Sequence, residues 1–451
     1  VTDRFGNSYV EAKTDYIEVI DITPPGSGTE IDPYQIATYE DLLWLSARSY
    51  VWEGIYFVQT ADIEFPVNRH RDEDFTPIGT NDAAFSANYD GQGYTVIDLY
   101  IDSDDAKQGL FGYTDGATIS NLGVTNAFVN GSSDVGALVG YAGYSTITSC
   151  YSSGSVSGDD NIGGLVGQSS NSAIINSYCT ASVVAISSIG GLVGNNGSII
   201  SNCYSTGNVV GNSLVGGLVG IDHNSTVSNC YSTGSASGDI NIVGLVGSTG
   251  YSDITNCYST GSVSGTSYFG GLMGDNYLSN VDNCFYDMDT SGLTFSSGGI
   301  GKYTYEMQDV ATYTDLYTEG LYTPWDFYGN PFDDTSDDDF WGINSIDNDG
   351  YPFLVWQGYD VTLDAPQNVV ITITGSEIHI TWDPVIGANS YLVYSSNSPE
   401  GEFAVDYTGI EEGPTWVAPI TAERKFYYVR ASSLEYRSSA ARKNRSRRTK
   451  K

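Results

Sequence analysis

Gly191-Leu192-Val193-Gly194, followed by Asn202-Cys203-Tyr204-Ser205-Thr206-Gly207, is one copy of a pattern that the chain writes again and again. The tetrad recurs as Gly109-Leu110-Phe111-Gly112, Ala137-Leu138-Val139-Gly140, Gly164-Leu165-Val166-Gly167, Gly217-Leu218-Val219-Gly220, Gly244-Leu245-Val246-Gly247 and Gly271-Leu272-Met273-Gly274, with closing glycines 28, 27, 27, 26, 27 and 27 residues apart. A second marker keeps the same phase: Ser149-Cys150-Tyr151, Asn229-Cys230-Tyr231, Asn256-Cys257-Tyr258 and Asn283-Cys284-Phe285. Self-similarity at this period is the signature of a solenoid or array. The units are rich in Val, Ile, Thr and Tyr and are broken by glycine every few residues, which favours short strands and tight turns. No window holds a 3.6-residue period. The expected fold is all-β, a parallel β-helix of about 27 residues per rung, right-handed by the general crossover rule. Seven rungs at ~4.8 Å each would span roughly 35 Å.

Stacked rungs place like residue on like residue. Leu165, Leu192, Leu218, Leu245 and Leu272 form one expected apolar column, and Ile147, Ile175, Ile200, Val227, Ile254 and Val281 another. The second glycines suit positive φ or close backbone approach. Asn202, Asn229, Asn256 and Asn283 are expected to form an amide ladder, and Tyr204, Tyr231, Tyr258 and Phe285 an aromatic stack. Cys150, Cys203, Cys230, Cys257 and Cys284 share a column, with Tyr178 in the missing place and Cys179 shifted by one. Their Cβ vectors run parallel, which disfavours disulfides; buried free thiols are the expectation.

The Gly-Gly-Leu-Val-Gly tetrads with Asn-Cys-Tyr-Ser-Thr-Gly runs between them resemble the GLUG-motif repeats of bacterial, adhesin-like surface proteins. With its flanking caps the resemblance covers roughly residues 28 to 356. It implies an extracellular or cell-surface β-solenoid, sometimes beside peptidase domains, and it implies no catalytic residue.

Charge narrows the partners. The net charge is −37, and no Lys or Arg lies between Lys107 and Lys302, against eleven acidic residues. Such a body repels nucleic acid and anionic membrane surfaces. No run of apolar residues is long enough to span a bilayer, and Val1-Thr2-Asp3-Arg4 does not read as a signal peptide. The chain reads as a mature piece or fragment.

In order, residues 1–22 resemble the closing strands of a PKD domain, around a Gly6-Asn7 turn. Residues 23–28 form a linker. Residues 29–108 read as an N-terminal cap and irregular rungs, with Thr38-Tyr39-Glu40-Asp41 as a capping-box start for a helix to about Ser49 that places Tyr39, Leu42, Leu43 and Ala47 on one face. Residues 109–286 are the repeat solenoid. Residues 287–356 form an aromatic C-terminal cap, in which the Asp333–Asp339 run is a solvated loop. Residues 363–433 resemble a fibronectin type III domain, through Trp382-Asp383-Pro384, Tyr391 and Phe426-Tyr427-Tyr428-Val429; this implies an immunoglobulin-like β-sandwich. Residues 434–451, with eight of the eighteen basic residues, read as a disordered tail.

No catalytic constellation emerges. His70, His223 and His379 lie in unrelated segments, and Asp134, Asp159, Asp160 and Asp239 sit near equivalent turns, where acidic residues usually serve solubility. The chain is read as a non-enzyme. No cofactor is required; calcium is the one candidate, because Asp287, Asp289 and Ser291 match the first half of an EF-hand-type loop, although position twelve is Gly298 rather than Glu. The expectation is a secreted surface protein that binds a glycan or extracellular protein ligand, or serves as a stalk. The alternatives are a carbohydrate-active β-helix enzyme and an ice- or surface-binding solenoid, the latter suggested by Ser205-Thr206-Gly207 and its copies.

Overall fold

The computed structural model describes residues 9–13, 16–20, 23–48, 52–66, 75–328, 339–344, 347–359, 366–385, 390–398, 404–406, 408–411, 414–420 and 425–432. The chain divides into two units, Val1–Thr304 and Tyr305–Lys451. The expected Val1–Asp3 strand, the Gly6-Asn7 turn, His70, the body of the acidic loop and the basic tail fall outside the described residues. Tyr9–Lys13 and Tyr16–Ile20 pair as an antiparallel hairpin.

The first unit is a parallel β-solenoid of about nine turns with ~27 residues per turn. One inward column traces it end to end: Tyr34, Phe57, Tyr89, Ile119, Ile147, Ile174, Ile200, Val227, Ile254 and Val281 lie in register. The rungs therefore begin well before the first glycine tetrad. At ~4.8 Å per strand the ten levels span roughly 43 Å. The interior is a single apolar core, in which the expected leucine column is wholly buried.

Three columns differ in detail from the expectation. Ile174, not Ile175, joins the isoleucine column. Ser177 takes the missing cysteine place, its Oγ accepting from Cys150 N at 3.1 Å; Tyr178 pairs with Tyr151, and Cys179 with Ser152. The last tetrad glycines do not adopt positive φ. They are needed for close approach: a Cβ on Gly194 would lie 2.4 Å from Asn161 C and from Ile162 N.

The left-handed corners belong to other residues. Asn121, Ser149, Asn176, Asn202, Asn229, Asn256 and Asn283 occupy one corner at φ between 49° and 54°. Asparagine tolerates this region better than other residues with a Cβ, so the recurring amides set the turn first. They also ladder, Asn283 Nδ2 to Asn256 Oδ1 at 3.1 Å and Asn256 Nδ2 to Asn229 Oδ1 at 3.2 Å. At another corner a one-residue difference is absorbed. Ser170 and Ala173 pair with Gly197 and Ile199, so two residues in one turn stand opposite one in the next, and strand register resumes at once.

The N-terminal end is closed by the helix Tyr39–Ser46, somewhat shorter than expected. Its capping box is present: Asp41 N donates to Thr38 Oγ1 at 3.2 Å, and Thr38 N to Asp41 Oδ2 at 2.9 Å. Leu42, Trp44 and Leu45 are its buried residues. At the far end the segment after Gly292 folds back over the last turn. Leu272 N and Met273 N donate to Ser296 Oγ, Ser297 N donates to Met273 O, and Ile300–Lys302 pairs with Phe285–Asp287.

In the second unit, Tyr313, Trp325, Phe327 and Trp341 form a buried aromatic knot, with Trp325 and Trp341 centroids 4.7 Å apart. These rings are core. Further on, among the described residues, seven strands form antiparallel sheets of four and three strands around Ile380, Trp382, Tyr391, Val393, Trp416, Ala418 and Val429. This is the sandwich expected downstream of the solenoid.

Candidate binding surface of the solenoid

Strand alternation sends every second residue outward, so the repeat prints its columns on the surface as well as in the core. Tyr151, Tyr178, Tyr204, Tyr231 and Tyr258 stack with centroids 4.9 to 5.0 Å apart and planes within 5°. The ladder begins two turns before the expected stack, and at its other end Phe285 stands in register with Tyr258. It is half-buried at its start and buried at Tyr231 and Tyr258, so it is mostly a stabilising seam. Beside it, Thr180, Thr206, Thr233 and Thr260 donate their backbone N–H groups to Ser152, Cys179, Ser205 and Ser232 carbonyls of the preceding turn.

The early turns carry different side chains on the same face. Tyr100 and Phe128 stack at 5.0 Å and 13°. On one side of them Asn126 donates to Asp98; on the other, Asn130 Nδ2 donates to Asp102 Oδ1 at 3.1 Å and Ser157 Oγ to Asn130 Oδ1 at 2.9 Å. Two clefts flank the ring pair. One, of 510 Å³, runs between Pro66 and the Asp98, Asn126 and Phe128 side. The other, of 450 Å³, runs from Asp104 and Asn130 to Asp159 and Ile186.

The calcium candidates are placed in a local cap. Asp287 is buried and caps the short helix Met288–Ser291, its Oδ1 accepting from Asp289 N at 2.8 Å and Thr290 N at 3.1 Å. Its Oδ2 accepts from Thr304 Oγ1 at 2.8 Å, Asp289 Oδ2 accepts from Thr304 N at 3.0 Å, and Ser291 Oγ donates to Asp287 O at 2.5 Å. Asp287 and Ser291 are drawn into this cap rather than converging on one point. Among the described residues no group of three or more His, Cys, Asp or Glu side chains is arranged to hold a metal.

One carboxylate was not singled out by sequence. Asp222 is fully buried, in a column running Thr114, Ala142, Ser169, Asn196, Asp222, Thr249. Asn196 Nδ2 donates to its Oδ1 at 2.7 Å, Ser225 Oγ to the same atom at 2.5 Å, and Thr249 Oγ1 to Oδ2 at 3.3 Å. Burial pushes this carboxyl above its ordinary range, against the opposing pull of the hydrogen bonds from Ser225, Asn196, Ser252 and Thr249. Of the four acidic residues at the turns, Asp134 is half-buried and raised chiefly by burial, with Asn161 opposing. Asp159, Asp160 and Asp239 are exposed. Asp159 and Asp239 occupy equivalent places three turns apart, so these carboxylates do not form a pair.

Residues 131–157, 186–210 and 244–264 match the GLUG motif. The motif is present. Over 140 residues the chain is 33% identical to halomucin of Haloquadratum walsbyi, an alignment covering 29% of this chain and 2% of halomucin. The chain thus spans a small fraction of the curated relative it matches. Among solved structures, a candidate immunoglobulin A1 protease from Bacteroides ovatus aligns over 73% of this chain and 94% of its own, with 21% identity and a TM-score of 0.49. A second structure, described as an IgA1 protease, aligns over 64% of this chain and 22% of its own, with 19% identity and a TM-score of 0.39. Among the described residues no helix is long and apolar enough to cross a membrane.

Proposed function

We propose that this chain is part of an extracellular, modular surface protein whose solenoid presents a rigid binding face or acts as a stalk. The observation that supports this reading best is the surface itself. A core sealed by repeated columns leaves threonine and asparagine rows at least partly exposed along most of the solenoid, beside tyrosines that are half-buried at Tyr151, Tyr178 and Tyr204, with no Lys or Arg between Lys107 and Lys302. Such a surface makes hydrogen bonds and ring contacts without attracting nucleic acid. The GLUG motif and the similarity to halomucin point the same way. In this reading residues 1–22 close a PKD domain, residues 363–433 form a fibronectin type III spacer, and the chain binds rather than catalyses. The test is binding of the full chain to an array of glycans and extracellular matrix proteins, with calcium and with EDTA. Saturable binding at micromolar chain concentration is the expected result. Turnover of any arrayed glycan or protein would overturn the non-enzymatic reading, and an array without a single saturable partner would leave only the stalk.

A further inference from the structure

The two clefts lie along one strip of the surface, on either side of the Tyr100–Phe128 pair. Asn126, Phe128 and Asn130 are alternate residues of a single strand, Gly123–Asn130, and all point outward. Asp98, Tyr100 and Asp102 precede them by one turn, with Tyr100 opposite Phe128 and Asp102 opposite Asn130. In the following turns Phe128 stands opposite Ser155, and Ser155 opposite Ser182. The aromatic column therefore stops at Phe128, and the surface steps down from a ring to two hydroxyls. Phe128 is 40% exposed. A phenylalanine left half in water at the head of a step, between two clefts, has a ring face that serine does not cover.

The polar groups around it have a common character. The Asp98–Asn126 and Asp102–Asn130–Ser157 contacts run between neighbouring turns, so each side chain is held in place by a partner. Carboxylate, carboxamide and hydroxyl groups each retain further donor or acceptor capacity after one such bond. Among the described residues lining the two clefts there is no Lys or Arg, whereas Asp98, Asp104 and Asp159 are present. An anionic ligand would meet repulsion there. The distance from Asn126 to Asn130 along an extended strand is roughly 13 Å, comparable with two to three linked pyranose rings.

We propose that this strip is a binding groove for a neutral oligosaccharide, with Phe128 as the stacking platform and Asp98, Asn126, Asp102 and Asn130 as its hydroxyl partners. The proposal rests on the binding-surface reading above and specifies its ligand class. Rigid aromatic and planar polar side chains on a fixed scaffold lose little freedom on binding, which suits a ligand that offers ring C–H faces and hydroxyls but little apolar area.

The test is isothermal titration of the full chain with cellohexaose, xylohexaose, mannohexaose and chitohexaose, and with hexagalacturonate as the anionic control. At least one neutral hexasaccharide should bind saturably, and hexagalacturonate should not. Phe128→Ala should weaken that binding at least tenfold, and Asn130→Ala at least threefold. Tyr144→Asn, at an exposed corner, should leave it unchanged. Thermal melts check that the variants fold. Absence of binding by all four neutral sugars, preference for hexagalacturonate, or undiminished binding by Phe128→Ala would overturn the groove. If the groove fails while matrix-protein binding on the array persists and ignores Phe128→Ala, the broader binding reading stands; if both fail, both fall.

Discussion

Replacing Gly194 by alanine tests the structural reading of the tetrads most directly. The added Cβ would lie 2.4 Å from Asn161 C and Ile162 N and 2.7 Å from Gly167 O. All three are backbone atoms of the turn before, so no rotamer change relieves the contact. Restoring ordinary van der Waals distance requires the two turns to part by about 1 Å locally, a displacement well above what a close-packed interior absorbs freely. The bonds bridging them there are Gly164 N to Gly190 O at 3.3 Å, Leu165 N to Leu192 O at 3.0 Å and Val166 N to Leu192 O at 3.1 Å. An ångström of opening takes each out of range, at about 1 kcal/mol net apiece. Residual overpacking strain adds about 1–3 kcal/mol, and the stiffer unfolded chain returns about 0.4–1 kcal/mol. The expected loss is therefore about 3–5 kcal/mol in urea unfolding of the full chain followed by far-ultraviolet circular dichroism. Gly197→Ala is the control: the nearest atom to its added Cβ is Ser169 O at 3.5 Å, and its stability should match or slightly exceed that of the parent. If Gly194→Ala stayed within about 1 kcal/mol of the parent, close approach would not be the reason for the tetrad.

Three further outcomes follow from buried groups. Because burial raises the Asp222 carboxyl in the folded state, its contribution to stability is fully present below the unfolded carboxylate range near pH ~4 and is lost as pH rises through the higher folded value. Asp222→Asn should remove that loss, so melting temperatures of the two proteins should diverge in favour of the variant from acid to neutral pH; a constant offset would refute the assignment. All six cysteines are free and buried, and burial pushes Cys150 up to about 12 and Cys179 to about 11. The native chain should show no thiol reactive with Ellman's reagent at pH 8, and the denatured chain six. Asp287→Ala should cost about 1 kcal/mol as a lost helix cap, and EDTA should not move the melting temperature of the parent; a calcium-dependent rise abolished by Asp287→Ala would show that the cap is also an ion site.

Much of this fold is written in spacing, and less of it in residue identity. The glycine period and the Thr38–Asp41 box led directly to the solenoid and its helical cap. Identity misled where a different residue fills a column. Ser177 replaces a cysteine because either small side chain fits there and bonds to a neighbouring carbonyl, so the column follows the count of residues rather than the letter. The corner asparagines were legible as a ladder, but their left-handed backbone was not, since no pattern distinguishes a stacked amide from one chosen for φ. Asp222 and the Phe128 strip escaped notice for a shared reason. Both are exceptions within their columns, Asp222 beside Asn196 and Thr249, and Phe128 above Ser155. A repeat makes the consensus conspicuous and hides what departs from it.

The register shift between Ser170 and Ala173 bears on how such a chain changes length over generations. A residue gained or lost at that corner leaves the next strand in step, as the recovery at Ile174 and Ile200 shows. Duplication or deletion of a whole 27-residue segment is then a neutral edit for both ends, since each turn sees only its two neighbours. Every copy added extends the solenoid by ~4.8 Å, so tandem recombination can tune its length without redesigning any contact.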